Sequence, residues 1–447
     1  MAEEISVLPA PHGSDLARVC HPVAESLRQH AVGQGTLARP ASLLERLFRS
    51  KVHALLGDLQ AGELVLHEGK ESLRVGKPCA DHLTAHIQVH SPTFYRRVAL
   101  GGTIGAAESY MDGEWDASNL THVIQLMIRN GQLLGSLEGV ANWIFQPLLR
   151  SWHAWRDNSQ RGSKRNIAAH YDLGNDFFAS FLDSSMAYSS GVYTSPVTTL
   201  AEAQVAKFER LCQKLSLKPS DHLVEIGCGW GGLAIHAAKK YGCRVTGITI
   251  SKEQFALATQ RVKDAGLSDR IEILLTDYRQ LTGQYDKLVS VEMIEAVGHK
   301  HLGEYFGICS RLLKPSGVMA LQGITIADRL YASYCRGVDF IQRYIFPGGH
   351  LPCTQAIMNS VASSTDLTLA HQENLPQHYA RTLSDWNELF QAARPQLRKM
   401  NLPEEFLRMW EFYFCYCEAG FREEQLGLVQ MVFTKPQGRV NPVGLVA

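Results

Sequence analysis

Residues 223–232 read LVEIGCGWGG, an apolar run that breaks into four glycines separated by Cys228 and Trp230. A glycine-rich turn between a strand and a helix lets backbone approach a ligand closely. The flanking sequence supplies both elements. HLVEIGC (222–228) reads as a buried strand and GLAIHAAKKYG (232–242) as a helix ending at Gly242. RVTGITIS (244–251) predicts a second strand, followed by the helix KEQFALATQRVKDAG. IEILLTD (271–277) and YDKLVSVEMI (285–294) predict strands three and four. SRLLKPSGVMALQGITI (310–326) holds a helix end, a Pro-Ser-Gly turn and strand five. Strands alternating with helices at this spacing predict an α/β fold, a doubly wound and mainly parallel sheet whose ligands sit beyond the carboxyl strand ends.

Elimination narrows what the turn holds. An NAD site wants an acidic residue about twenty positions on for the ribose diol. Here GITISKEQ offers Thr249 and Ser251, with no carboxylate before Glu253. A phosphate-binding P-loop wants Gly-Lys-Ser/Thr, and GGLA lacks it. An adenosine ligand without a phosphate chain is left. Asp277 and Tyr278, at the end of strand three, suit it as a carboxylate for the adenine amine and a ring beside the adenine face. The reading is S-adenosylmethionine (SAM).

Composition sets the wider frame. A chain of 447 residues exceeds what one core usually organises, so two domains are expected. Apolar residues make up 45% and charged residues 20%, which fits a folded globular protein. A formal charge of zero gives no basic field for nucleic acid. MAEEISVLPAPHGSD lacks the features of a secretory signal, and no apolar stretch is long enough to span a bilayer. Ten cysteines without CxxC spacing fit free thiols better than disulfides or a metal site. A cytoplasmic protein without a metal is expected.

Before the sheet pattern begins, GELVLHEGKESLRV (from Gly62) suggests a small β-element, and NLTHVIQLMIRNGQLLGSL (119–137) a helix capped by Ser118 or Asn119. WIFQPLLRSWHAWRDNSQRGSKR (143–165) carries three tryptophans and, from Arg150, five basic residues against one acidic one. It reads as a linker with interfacial character. The expected division is an α+β domain over 1–142, the linker 143–165, and a catalytic domain over 166–447.

Several stretches together carry a resemblance. AAHYDLGNDFF (168–178), MAYSSGVY (186–193), EIGCGWGG (225–232), GITISKEQ (247–254), EMIEAVGH (292–299), YIFPGGHLP (344–352), HYARTL (378–383) and CEAGFREEQLGLVQMVF (417–433) look like the cyclopropane-fatty-acyl-phospholipid synthases and the related mycolic acid cyclopropane synthases. The similarity spans roughly 165–435, and the first 150 residues resemble, more weakly, the amino-terminal domain of the long bacterial members. It implies a SAM-dependent enzyme that acts on cis double bonds of phospholipid acyl chains. Methyl transfer leaves a carbocation, and loss of a proton from the new methyl closes a ring while water is excluded.

In that family the base is attributed to a bound bicarbonate, held by a carboxyl, a tyrosine, a histidine and backbone groups. Glu295 matches the glutamate and Tyr379 the tyrosine. Ser190 stands where many members have cysteine, and Gln322 where many have histidine. Ile324 matches a backbone contact. Cys417 matches a family cysteine, read here as a pocket-lining thiol since no step needs a thiolate. For SAM, Tyr188 and Ser189 resemble residues that fold over its methionine end. Gly227 and Gly229 line the ribose, with Gly231 counted beside them; Thr249 and Gln254 are hydrogen-bonding partners, and Glu225 meets the methionine amine. Trp230 walls the pocket or packs a helix. Tyr171, Asp172 and Gly174 belong to a family signature, or form an ordinary cap and turn. Residues 331–378 are expected to cap an acyl-chain tunnel.

The Ser190 and Gln322 departures leave methyl transfer intact and open an alternative: a methylene- or methyl-branched product. A small-molecule N-methyltransferase, or a lipid-binding protein without activity, are further alternatives. The resemblance also implies a homodimer held peripherally on the inner membrane. The helix at 119–135 and the segment 143–165 are the expected bilayer contacts.

Overall fold

The computed structural model describes residues 41–131 and 174–440, which form two sheets with their helices. The linker 143–165 and the signature residues Tyr171 and Asp172 lie outside the described residues.

The first sheet has the order β2-β1-β3-β4. The small β-element expected from Gly62 is a hairpin of β1 (Gly62–Glu68) and β2 (Glu71–Lys77), and β3 (Thr84–Val89) runs parallel to β1, with the short β4 (Trp115–Ala117) at the edge. Helices α1 (Leu43–Gly57), α2 (Thr93–Met111) and α3 (Leu120–Arg129) pack against it. Asn119 is the cap of α3, its side-chain oxygen accepting the His122 N–H at 3.0 Å.

The second sheet has the order β10-β11-β9-β8-β5-β6-β7. Strands β5 (His222–Ile226), β6 (Arg244–Thr249), β7 (Ile271–Leu275), β8 (Tyr285–Val291) and β9 (Leu313–Ile326) pair in parallel. β11 (Leu426–Thr434) and β10 (Thr368–Asn374) close the far edge antiparallel. Sequence order reverses between β5 and β8, so the gap beyond their carboxyl ends is the switch point where ligands sit. The flanking helices follow their local signals: α4 (Asn175–Ala179), α5 (Leu200–Lys214), α6 (Gly232–Tyr241), α7 (Lys252–Asp264), α8 (Leu302–Leu312), α9 (Asp328–Tyr334), α10 (Thr354–Ser364), α11 (Pro376–Lys399) and α12 (Glu404–Arg422). Thr199 and Glu202 form a capping box on α5, and Pro376 starts α11 where no backbone donor is needed.

Two expectations change. Residues 331–378 are not one cap: α10 packs on α8, and β10 is an edge strand of the sheet, its alternation masked because the inward-facing His371 and Glu373 are polar. Of this segment, Tyr334 and the stretch around 339–351, with a π-helical turn at Ile341–Ile345, face the ligand cavity. Nor does α3 lie free for a bilayer. Leu120, Val123, Ile124 and Leu126 are buried, and Thr121 donates to Glu418 on α12 at 2.9 Å. Gln125 and Arg129 both donate to Glu423, so the first unit is clamped onto the second.

An aromatic core explains part of the GNDFF stretch. Phe177 inserts between Phe390 of α11 and Trp410 of α12, its ring 4.7 Å from Trp410, and Phe178 packs between Trp410 and Trp230. Each such buried ring contributes roughly 1.5–3 kcal/mol by burial. Asn175 accepts the Trp230 indole N–H at 2.7 Å, which ties this core to the glycine turn.

Candidate active site

The glycine turn follows β5 and is shaped by left-handed backbone. Gly227 has φ +80, and a Cβ there would lie 2.9 Å from the Met293 side chain. The loops after β5 and β8 are therefore pressed together at the switch point. Gly231, also at positive φ, starts α6 and packs toward Ala258 of α7. It does not line the cavity, so its role is helix placement rather than cofactor contact.

A cavity of about 480 Å³ opens beyond these strand ends. Tyr188, Ser189, Glu225, Gly227, Gly229, Thr249, Gln254, Asp277 and Tyr278 line it, as does Trp230. Thr249 donates to the Gln254 side chain at 2.7 Å. The Asp277 carboxylate accepts two bonds from the Arg279 guanidinium, at 2.9 and 3.0 Å, which orient it at the cavity wall. Glu225 keeps an oxygen buried without any hydrogen-bond partner. Burial lifts its pKa to about 8, although nearby Lys207 pulls the other way. An orphaned carboxylate oxygen beside a glycine turn fits the amine of a bound SAM. Sequence reasoning missed Lys207, a buried residue of α5 that donates to Ser189 at 2.6 Å; burial brings its own pKa down to about 8. Its spacing on an amphipathic helix gives no sign of a site.

The other end of the same cavity is mainly apolar, with Asp339, Gln342 and His350 among its lining. Ile341, Phe346, Leu351, Tyr413 and Tyr416 line it, and Ile128 closes it from the first unit. Cys417 lies here as expected, and burial pushes its thiol well above the ordinary range, so it stays protonated.

Between these ends lie the residues expected to hold bicarbonate, but their donors point elsewhere. The Ser190 N–H donates to Glu292 Oε1 at 2.9 Å, the Gln322 amide to the same oxygen at 2.7 Å, and the Tyr379 hydroxyl to Oε2 at 2.6 Å. The Ile324 N–H donates to Glu295 Oε1. Ser190 and Gln322 are wholly buried behind Glu292 and do not reach the cavity, whereas Glu292, Glu295, Ile324 and Tyr379 do. Every donor of the anticipated anion site is thus bonded to a protein carboxylate. The negative charge held on Glu292 would also repel a bound anion. The residues present do not fit bicarbonate.

Glu292 went unrecognised although it opens the EMIEAVGH stretch, three residues before Glu295. The available signal is its position at the carboxyl end of a central strand. Its φ of +49 is left-handed, which costs a residue with a Cβ on the order of 1 kcal/mol. Burial raises the pKa of both acids. Glu295 goes to about 8, with the Glu292 charge adding to the effect. Three donors converge on Glu292 and one on Glu295, so the pair's negative charge resides on Glu292.

A row across the sheet fixes this arrangement. Glu373, Gln430 and Gln322 are successive cross-strand partners on β10, β11 and β9. Gln430 donates to Gln322 Oε1 at 2.7 Å and accepts from Lys214 at 2.6 Å; Lys214 in turn pairs with Glu373. With its oxygen accepting from Gln430, the Gln322 amide presents its N–H groups to the other side, one to Glu292 and one to the Ser190 carbonyl at 3.3 Å.

Comparison with known proteins agrees with this architecture. Residues 158–431 match the family described as mycolic acid cyclopropane synthetase. Tuberculostearic acid methyltransferase UfaA1 of Mycobacterium tuberculosis is 41% identical over 78% of this chain and 83% of its own length. Cyclopropane-fatty-acyl-phospholipid synthase of Escherichia coli is 39% identical over 78% and 88%. Among solved structures, the mycolic acid cyclopropane synthase CmaA1 complexed with SAH and CTAB superposes with a TM-score of 0.57 at 32% identity, covering 61% of this chain and 98% of that one. The chain belongs to the mycolic acid cyclopropane synthetase family and is a SAM-dependent methyltransferase.

Proposed function

We propose that the enzyme methylates cis double bonds in the acyl chains of membrane phospholipids and closes the product to a cyclopropane. The observation that carries this reading is the single cavity that joins the glycine-turn residues to an apolar end, with buried carboxylates where the two meet. When bound, SAM supplies a methyl group on a sulfonium centre. The chain's own residues then orient that donor through Thr249, Gln254 and Glu225, exclude water with the aromatic wall, and hold negative charge beside the developing acyl cation. Binding of such a solute from a bilayer is supported by α1, which exposes Leu43, Leu44 and Leu47 beside the exposed cations Arg46 and Lys51.

A second reading, a methylene-branched product, is favoured by the likeness to the tuberculostearic acid methyltransferase. Incubating vesicles of oleoyl phospholipid with SAM and analysing the fatty acids separates the two. Cyclopropanation adds one CH₂ and removes the alkene signal; branching adds the same mass and keeps an alkene. If no lipid gains mass, both readings fail.

The Glu225 assignment has its own signature. A ligand ammonium favours the ionised carboxylate, and Glu225 is largely protonated below about pH 8. SAH affinity, measured by calorimetry, is expected to rise from pH 6 to 8 by as much as about tenfold per unit, with a proton released on binding. Glu225→Gln should flatten that slope, and a wild-type affinity independent of pH would refute the contact.

A further inference from the structure

We infer that the Glu292 carboxylate is the proton acceptor of the reaction, built into the donor set that would otherwise hold a carbonate-type anion, so that turnover needs no bicarbonate. This rests on the acyl-methylation reading above and deepens it.

Three observations converge. First, the Ser190 N–H, the Gln322 amide and the Tyr379 hydroxyl, from three separate elements, all donate to one carboxylate. That is the coordination expected for a bound oxyanion, here met by a side chain. Second, Gln430 fixes the orientation of the Gln322 amide, so that its NH₂ end, bonded to Glu292 and to the Ser190 carbonyl, is a donor at this place. The pocket is therefore preorganised for a negative charge at this place. Third, Glu292 occupies a left-handed backbone position that glycine would adopt without strain, and such outliers persist where the surroundings require the side chain. Glu292 also faces the cavity at the junction of its polar and apolar ends.

The step balances without any other reagent. The alkene π pair forms the new C–C bond to the methyl carbon as the S–C bond breaks, and that bond's electron pair stays on sulfur as the neutral thioether. The cation left on the neighbouring chain carbon is discharged when Glu292 takes one proton from the transferred methyl. The freed C–H pair closes the ring directly. If a hydride first shifts from the methylated carbon to the cationic one, the same pair forms an exocyclic double bond. One proton passes to Glu292 in either case, and nothing is oxidised or reduced overall.

The test uses the full chain, oleoyl phospholipid vesicles and SAM in buffer stripped of carbon dioxide. Wild-type turnover is expected to be unchanged by added bicarbonate. Glu292→Gln should lower turnover by about 100-fold or more while leaving SAH affinity within about twofold, as for loss of a general base. Glu292→Gly, which relaxes the backbone, should be equally slow until bicarbonate restores about tenfold or more of the lost rate by refilling the donor set. Stimulation of the wild type by bicarbonate, or near-normal turnover by Glu292→Gln, would overturn the assignment. A second readout is independent of lipid: isotope-labelled bicarbonate should bind Glu292→Gly and not the wild type by NMR. If no variant modifies lipid, the substrate reading fails on its own, and this binding comparison decides whether Glu292 fills the anion site: wild-type binding refutes it.

Discussion

Glu373→Ala is expected to lower stability by about 3–5 kcal/mol, because it strips the counter-charge from a buried cation. The Lys214 side chain is only 1% exposed and is paired with Glu373, which also holds Arg210. Without the carboxylate, Lys214 must discharge or draw water into the sheet edge. For a domain this large the melting temperature should fall on the order of 10 °C. The damage should extend to the site, since Lys214 holds Gln430 and Gln430 holds Gln322. The pH dependence follows from Glu373 itself. Burial would raise its pKa, but the bonds from Arg210 and Lys214 prevail and hold it at about 2, below the ordinary 4.5. Its stabilisation is therefore complete above about pH 4.5 and is lost as pH falls toward 2. Thermal melts of wild type and Glu373→Ala should differ at neutral pH and converge in acid. Equal melting temperatures at neutral pH would disprove the role of the pair.

Tyr379→Phe is expected to slow lipid methylation by about 10- to 150-fold, the equivalent of one hydrogen bond to a charged group, roughly 1.5–3 kcal/mol. The hydroxyl is 2.6 Å from Glu292 Oε2 and is that oxygen's donor in the convergent set. Its ring stacks on Phe421 at 4.6 Å, and phenylalanine keeps that contact, so folding should change little. Because the cofactor end of the cavity is untouched, SAH affinity should stay within about twofold, and the loss should appear in kcat. A rate within threefold of wild type would show, against a cost of about 1 kcal/mol or more, that the hydroxyl does not serve the reaction.

How much of this was legible in the chain depended on whether the signal was local. The glycine turn, the alternation of strand and helix, the Asn119 cap and the cavity positions of Glu295, Tyr379, Thr249 and Gln254 all follow from short stretches whose residue types dictate local backbone or match a family pattern. Cys417 belongs with them. Ser190 and Gln322 were rightly picked out as unusual, but their meaning was not readable, because it depends on a third residue 102 and 30 positions away. β10 was read as part of a cap because residues 331–378 interrupt the strand–helix pattern and its inward-facing His371 and Glu373 are polar; only pairing with β11 makes it a strand. Lys207 and Lys214 look like surface lysines on amphipathic helices until the sheet buries them.

By itself, then, the order of residues determined the doubly wound sheet, the ligand at its switch point and the family, since each rests on periodicity, turn chemistry or contiguous motifs. Only tertiary structure decided what occupies the anion site. Glu292 gains its role from donors on three elements brought together around one carboxylate, and a hydrogen-bond network of that kind has no trace in sequence spacing. The same packing turned Gly231 from a ligand contact into a helix spacer and fastened α3 to α12 instead of leaving it for the membrane.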